Sequence, residues 1–271
     1  MLTITEKEFT QLASYIKQNF GIHLPAHKKT LVVGRLQNFL IQENIQSFSA
    51  YYDKIIMDKT GTAASTLISL ISTNHTFFLR EADHFNYFKD CVLPYLTQVV
   101  KDRDLRIWSA GCSSGEEAYT IAMYLDEYFG VNKTQWDTKI LATDISPKVL
   151  DMAQNGVYSN ESLVSLPKHW RLKYFERLDD ETSRVVARIR EEAIFRKFNL
   201  ITPTFPFKKK FHVIFCRNVM IYFDAATKHS LINSFYNSLV AGGYLFIGHS
   251  ESINRENSRF KYIKPAVYRK E

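Results

Sequence analysis

The sequence predicts an α/β protein: an open Rossmann-like sheet, an all-helical segment before it, and a small antiparallel β appendage on it. Three observations carry this. Before residue 73 of the 271-residue chain every apolar pattern has helical spacing. From Leu105 onward short β-rich runs alternate with helical ones, the mark of an open α/β sheet. And the stretch RIWSAGCSSGEEAYTIA, from Arg106 to Ala122, sets an apolar strand, a small-residue turn and an amphipathic helix in succession, with LATDIS following at Leu141 to Ser146.

Taken in order, Thr5 and Glu8 form a capping box, and Phe9, Leu12, Ala13, Ile16 and Phe20 then mark one apolar face of a first helix. Pro25 can open a second helix, with Leu31, Val32, Leu36, Phe39 and Leu40 on its buried side. Its Lys28, Lys29 and Arg35 come before any acidic residue, so its exposed face is basic. Shorter helical patterns cover 48–57 and 63–71, which makes 1–72 a separable accessory domain and 73–271 the main one. Residues 81–100 are helical again through Phe85, Phe88, Val92, Leu93, Leu96 and Val99. Strands are expected at 105–109, 139–143, 195–198, 212–215, 244–248 and 266–269. The excursion between the second and third of these is too long for a simple connection, and its 184–189 run alternates like a strand. A β subdomain inserted at about 156–192 is the expectation.

Composition narrows the function classes. The chain is 45% hydrophobic and 23% charged, an ordinary globular balance, and no run approaches the apolar length of a membrane span. The start MLTITEKEFT has neither the basic nor the apolar region of a secretory signal, so a cytoplasmic protein without membrane insertion is expected. Three cysteines, Cys91, Cys112 and Cys216, lie far apart with no C-x-x-C, and the eight histidines are scattered with no H-x-H. Neither a disulfide framework nor a metal site is expected. The formal net charge of +7 points to an acidic partner without choosing among nucleic acid, an anionic membrane and a protein.

The turn after the first strand carries Gly111 and Gly115, and backbone N–H groups there can approach a bound nucleotide-like ligand. Asp144 at the end of the second strand is a natural acceptor for ribose hydroxyls. The loop is not G-x-G-x-x-G and the acid lies well beyond the usual 20 residues or so, which disfavours NAD. S-adenosylmethionine binds the same kind of crevice without a pyrophosphate. A carboxylate from Glu116 or Glu117 suits its sulfonium or amino group.

Other segments converge on the carboxyl ends of the strands: NHTFFLRE at Asn74 to Glu81, FNL at Phe198 to Leu200, and FCRNVMIYFD at Phe215 to Asp224. Together with SAGCSSGEE and ATDIS, in this order over nearly the whole chain, they make it similar to the CheR chemotaxis receptor methyltransferases. The resemblance implies a class I S-adenosylmethionine-dependent methyltransferase that esterifies glutamate side chains of chemoreceptors and releases S-adenosylhomocysteine. It implies that Asn74, Thr76 and Arg80 line the cofactor from the interdomain side and that Glu117 meets its methionine portion near Gly111. Asp144 would take the ribose hydroxyls, Asn199 and Leu200 would flank the adenine, and Cys216, Arg217 and Asn218 would close the pocket. Arg80 and Tyr222 match the pair that the family places beside the transferred methyl. The helical domain, through Lys28, Lys29 and Arg35, would meet the acidic cytoplasmic methylation helices of the receptor.

Members that dock onto a receptor C-terminal pentapeptide carry a glycine-bearing loop in the β subdomain. Here the matching turn, 178–183, is short, acidic and without glycine, so tethered docking is not expected. A nucleic-acid methyltransferase, the rival that the basic charge raises, would show [DN]-P-P-[YF] where this chain has Cys216-Arg217-Asn218-Val219. A catalytically silent cofactor-binding scaffold is the other alternative, and the presence of both Arg80 and Tyr222 speaks against it. With no long apolar face unassigned, a monomer is expected.

Overall fold

The computed structural model describes residues 2–271. Helix α1 (Glu6–Phe20) opens on the anticipated capping box and stops at Gly21, whose φ of 73° places it in the left-handed region. A 3-10 turn (Ala26–Lys28) leads into α2 (Lys29–Gln42), and α3 (Phe48–Met57) and α4 (Thr62–Ile71) complete the helical part. The 81–100 helix exists but is interrupted: α5 (Ala82–Tyr87) runs through a π turn (Phe88–Val92) into α6 (Leu93–Val99). Pro94 at the start of α6 lacks the N–H that an unbroken α-helical ladder needs.

The main sheet contains β1 (Ile107–Ala110), β2 (Ile140–Asp144), β6 (Ala193–Lys197), β7 (Phe211–Cys216), β8 (Leu239–Ile247), β9 (Lys261–Lys264) and β10 (Val267–Arg269), in the order β6-β2-β1-β7-β8-β10-β9. The five from β6 to β8 are parallel, and β10 and β9 close the edge antiparallel. Strand β9 escaped the sequence pattern because its edge position leaves it half exposed, without an apolar alternation to read. Helices α7 (Glu116–Phe129), α8 (Pro147–Asn155) and α11 (Ala225–Ser238) are the crossovers. The chain winds outward from β1 to β2 and β6, then returns to β7 and β8. The order therefore reverses between β1 and β7, and a crevice forms there outside the carboxyl ends.

The excursion folds as a separate antiparallel sheet, β3 (Val157–Ser159), β4 (Phe175–Arg177) and β5 (Thr182–Val185), in the order β3-β5-β4, with α9 (Lys168–Tyr174) before β4. The strand expected at 184–189 lies earlier, at Thr182–Val185, and a short helix α10 (Ala187–Arg190) takes up the rest. Val185 and Ile189 are both fully buried at i, i+4, a spacing that alternation alone does not separate from a strand.

Along β1 and β7 both faces are buried, and neighbouring side chains enter different cores. Ile107, Val213 and Phe215 join a cluster with α5, α6 and α7, whereas Trp108, Ile214 and Cys216 join one that also contains Phe9, Leu12, Ile16, Leu36 and Leu67. The helical segment that the sequence presents as separable thus shares one continuous core with a face of the sheet.

Candidate active site

The β1–α7 turn is clamped before any ligand enters. Gly111 and Cys112 both donate their N–H to the Thr143 carbonyl, at 2.7 and 2.9 Å. Gly111 has a φ of 92°, and a Cβ there would lie 2.4 Å from Cγ2 of Val219, so no side chain fits. Ser113 is left-handed at φ 48°; its N–H donates to Asp144 Oδ2 at 2.9 Å and its hydroxyl to the Asn74 carbonyl at 2.9 Å. The other oxygen of Asp144 accepts from the Ser146 N–H at 3.0 Å. Burial pushes this carboxyl upward, against the pull of those amides. Hydroxyl donors reaching its remaining lone pairs would stabilise the ion.

Glu117, in the first turn of α7, accepts from the Ser109 hydroxyl at 2.7 Å and from Arg217 at 3.0 Å. Arg217 is the hub of this end: only 2% of its side chain is exposed, and it also pairs with Glu81 at 3.1 Å and donates to Nδ1 of His84 at 3.0 Å. It further donates to the carbonyl of Arg80 and lies 4.9 Å from the Phe85 ring centroid. Burial and the neighbouring guanidinium hold His84 down at about 3, so it stays neutral and can accept. Burial raises the Glu81 carboxyl, but Arg217 and donors from Asn218 and His249 outweigh it, and the balance lies below the usual range.

Arg80 sits between two left-handed residues, Leu79 at φ 60° and Glu81 at φ 54°. One arm of its guanidinium donates to the His75 carbonyl at 2.8 Å. The Tyr222 hydroxyl lies 3.3 Å from the Thr73 carbonyl. Backbone strain of this kind clusters where a fold over-determines a site.

These groups line one cavity that encloses about 970 Å³, its open mouth included. Asn74, Thr76, Arg80, Gly111, Glu117, Asp144, Asn199, Leu200, Arg217, Asn218 and Tyr222 all line it. Cys216 does not. As the last residue of β7 it points into the core shared with the helical segment, fully buried, and only the next residues reach the crevice. Burial pushes its thiol well up, as expected of a packing group.

The three basic residues of the second helix are not at the cavity, and they differ from one another. Lys28 is exposed and makes no ion pair among the described residues, while Lys29 pairs with Glu6 at 2.5 Å. Arg35 is not a free surface cation. Its guanidinium donates to the Ile71 carbonyl and to the Thr73 hydroxyl at 2.7 Å, bracing the linker into the main domain.

The sequence reading missed Phe20 and Ile22, which close the apolar side of the cavity together with Ile145, Phe198, Val219 and Phe223. Ile22 bridges to Phe223, the His23 N–H donates to the Tyr222 carbonyl at 2.8 Å, and Asn199 donates to the Asn19 carbonyl at 2.7 Å. A glycine directly after a helical apolar face, Phe20-Gly21, was the one local sign that the chain turns there.

A cavity with an apolar wall, lined also by the Asp144 carboxylate and by Glu117 with Arg217, fits a nucleoside carrying an amino-acid group, as S-adenosylmethionine does. Comparison with known proteins agrees. Residues 74–269 match the CheR methyltransferase S-adenosylmethionine-binding domain, and residues 7–72 match the CheR all-alpha domain. The chemotaxis protein methyltransferase of Borreliella burgdorferi is 43% identical over 272 residues, 99% of this chain and 96% of that protein. That of Escherichia coli K12 is 33% identical over 273 residues, 98% of this chain and 92% of its own length. The chain belongs to the CheR family of S-adenosylmethionine-dependent methyltransferases of chemotaxis.

Proposed function

We propose that the methyl acceptor is a glutamate side chain in the cytoplasmic methylation helices of chemoreceptors, giving a glutamate methyl ester and S-adenosylhomocysteine. The observation that supports this is that a guanidinium, Arg80, and a hydroxyl, Tyr222, line the same cavity, while the carboxylates that could act as bases are tied up. Glu117 is held by Arg217 and Ser109, and Asp144 by two backbone amides. A glutamate ionises near 4.3 and so arrives at neutral pH as a ready nucleophile that needs no base.

Bound in the cavity, S-adenosylmethionine supplies a sulfonium-activated methyl carbon open to in-line displacement. Displacement there would join the acceptor oxygen to that carbon as the carbon–sulfur bond breaks, with the electron pair left on sulfur. The chain's own work is orientation, which can contribute roughly 7–11 kcal/mol in well-organised systems. The planar fork of Arg80 aligns the incoming carboxylate and the Tyr222 hydroxyl fixes its rotation. Asp144 takes the ribose hydroxyls, Glu117 and Arg217 take the ammonium and carboxylate ends, and Asn199 and Leu200 flank the base. Asn74 and Thr76 cover the cofactor from the linker side, and Asn218 closes the pocket. Lys28 and Lys29 face the acidic receptor helix, with 1–72 as the docking domain and 73–271 as the transferase.

The receptor tether is not used in this reading. The β4–β5 turn is closed by Asp179, whose carboxylate accepts from the N–H groups of Glu181 and Thr182, at 2.8 and 2.6 Å, and from the Thr182 hydroxyl. Micromolar calorimetric binding of a receptor C-terminal pentapeptide would overturn that part.

The decisive experiment is transfer from methyl-labelled S-adenosylmethionine to chemoreceptor cytoplasmic fragments, with Arg80→Ala and a nucleic-acid substrate alongside. Base-labile label on the receptor, lost in the variant, is expected. Label on nucleic acid, or a base-stable product, would refute the assignment.

A further inference from the structure

After Cys216 the chain leaves the sheet and turns through Arg217 to Phe223, presenting Arg217, Asn218 and Tyr222 to the cavity. Asn218 is left-handed at φ 59°, a conformation asparagine tolerates more readily than other non-glycine residues and one its surroundings hold in place here. What holds it is a side chain that does not line the cavity. Glu251 Oε2 accepts from the N–H groups of Gly248, at 2.6 Å, and Asn218, at 2.9 Å, and Oε1 accepts from the Ile221 N–H at 3.2 Å.

We propose that Glu251 is a positioning residue for methyl transfer: its carboxylate fills a nest of backbone amides and thereby sets the turn that carries Asn218 and Tyr222. It is half-buried and forms no ion pair among the described residues, so backbone amides are the donors that face its carboxylate. The end of β8 is shaped for the contact. A Cβ on Gly248 would lie 2.5 Å from Asn218 Nδ2 and 2.8 Å from its backbone nitrogen, closer than any side chain permits. The Asn218 side-chain amide also donates to Glu81 Oε1 at 3.2 Å, and Glu81 adjoins Arg80 in sequence. Two carboxylates, Glu251 on the backbone and Glu81 on the side-chain amide, thus hold Asn218 in the turn.

The inference rests on Tyr222 orienting the acceptor, and the test separates the two. In Glu251→Gln one oxygen can still serve Asn218 and Gly248, while the new NH2 group faces the Ile221 N–H and loosens the turn at Tyr222. The expected result is a dissociation constant for S-adenosylhomocysteine within about threefold of the unaltered enzyme and a kcat about tenfold lower. Adding Glu251→Gln to Tyr222→Phe should then cost nothing further in kcat. Unaltered kcat in Glu251→Gln, or losses that multiply in the double variant, overturns the proposal. If Tyr222→Phe alone keeps full kcat, the reading of Tyr222 fails instead. Glu251→Ala then decides: an affinity for S-adenosylhomocysteine about tenfold weaker with cooperative melting retained upholds the positioning role, and unchanged affinity overturns it.

Discussion

At the scale of single residues the cavity is built from conformations that few side chains tolerate. Gly111 combines a φ of 92° with the contact to Val219, and Ser113, Leu79, Glu81 and Asn218 are all left-handed around the same space. Gly111→Ala should therefore weaken S-adenosylhomocysteine binding by more than about tenfold with the far-ultraviolet spectrum preserved, as calorimetry and circular dichroism would show. Tyr222→Phe removes one hydroxyl and leaves the ring, so kcat should fall about 10- to 100-fold while affinity for S-adenosylhomocysteine stays within about threefold. A proportional rise in that dissociation constant would instead make Tyr222 a cofactor contact. Of the strand-end residues singled out in the sequence, Asp144 reaches the cavity, while Cys216, the last residue of β7, points into the core.

Among the elements, α1 shows how much a local signal can specify. Thr5 and Glu8 cap each other, and the Glu8 carboxylate also accepts from the Ser49 N–H and hydroxyl, both at 2.9 Å, joining α1 to α3. The Thr5 N–H, with the hydroxyls of Thr5 and Ser49, holds the Glu8 carboxyl down at about 2. Because the folded value lies below the unfolded one, the stabilisation is present above about pH 4.3 and is lost as pH falls toward 2. Melting temperatures of the unaltered chain and of Glu8→Gln should therefore differ at pH 6 and converge only below about pH 2. Thr5→Ala should lower stability by about 1 kcal/mol in denaturant titration. The elements that local signals left blurred, β5 with α10 and the interrupted α5–α6 helix, are those in which buried positions fit two periods or a π turn intervenes.

The whole molecule joins its two parts along one seam. Lys17 pairs with Asp224 at 2.8 Å, Lys197 donates to Ser65 at 2.7 Å, and Ser69 and Ser146 share a hydrogen bond of 2.8 Å. Phe20 and Ile22 of the helical part complete the wall of the cavity, so the part that would meet the receptor also shapes the cofactor site. Lys28 and Lys29 lie away from that wall. Reversing both to Glu should raise the KM for receptor fragments by about tenfold and leave affinity for S-adenosylhomocysteine unchanged, the signature of lost uniform binding. Equal losses in both measurements would show that the change travels through the seam, and no loss in either would remove these lysines from the receptor face.

By itself the sequence determined the elements and their order: the capped first helix, the alternation of strands and helices, and the glycine turn and terminal aspartate of the cofactor site. Each of these depends on residues a few positions apart, where spacing and backbone preference leave little choice. The tertiary structure alone decided what lies across the seam. It turned Arg35 from a surface cation into a brace on the linker, brought Phe20 and Ile22 into the cavity, sent Cys216 into the core, and set Glu251 in the amides of a turn some thirty positions earlier in the chain. Those contacts join segments far apart in sequence, and they arise only when the sheet reverses its order and buries one face against the helices.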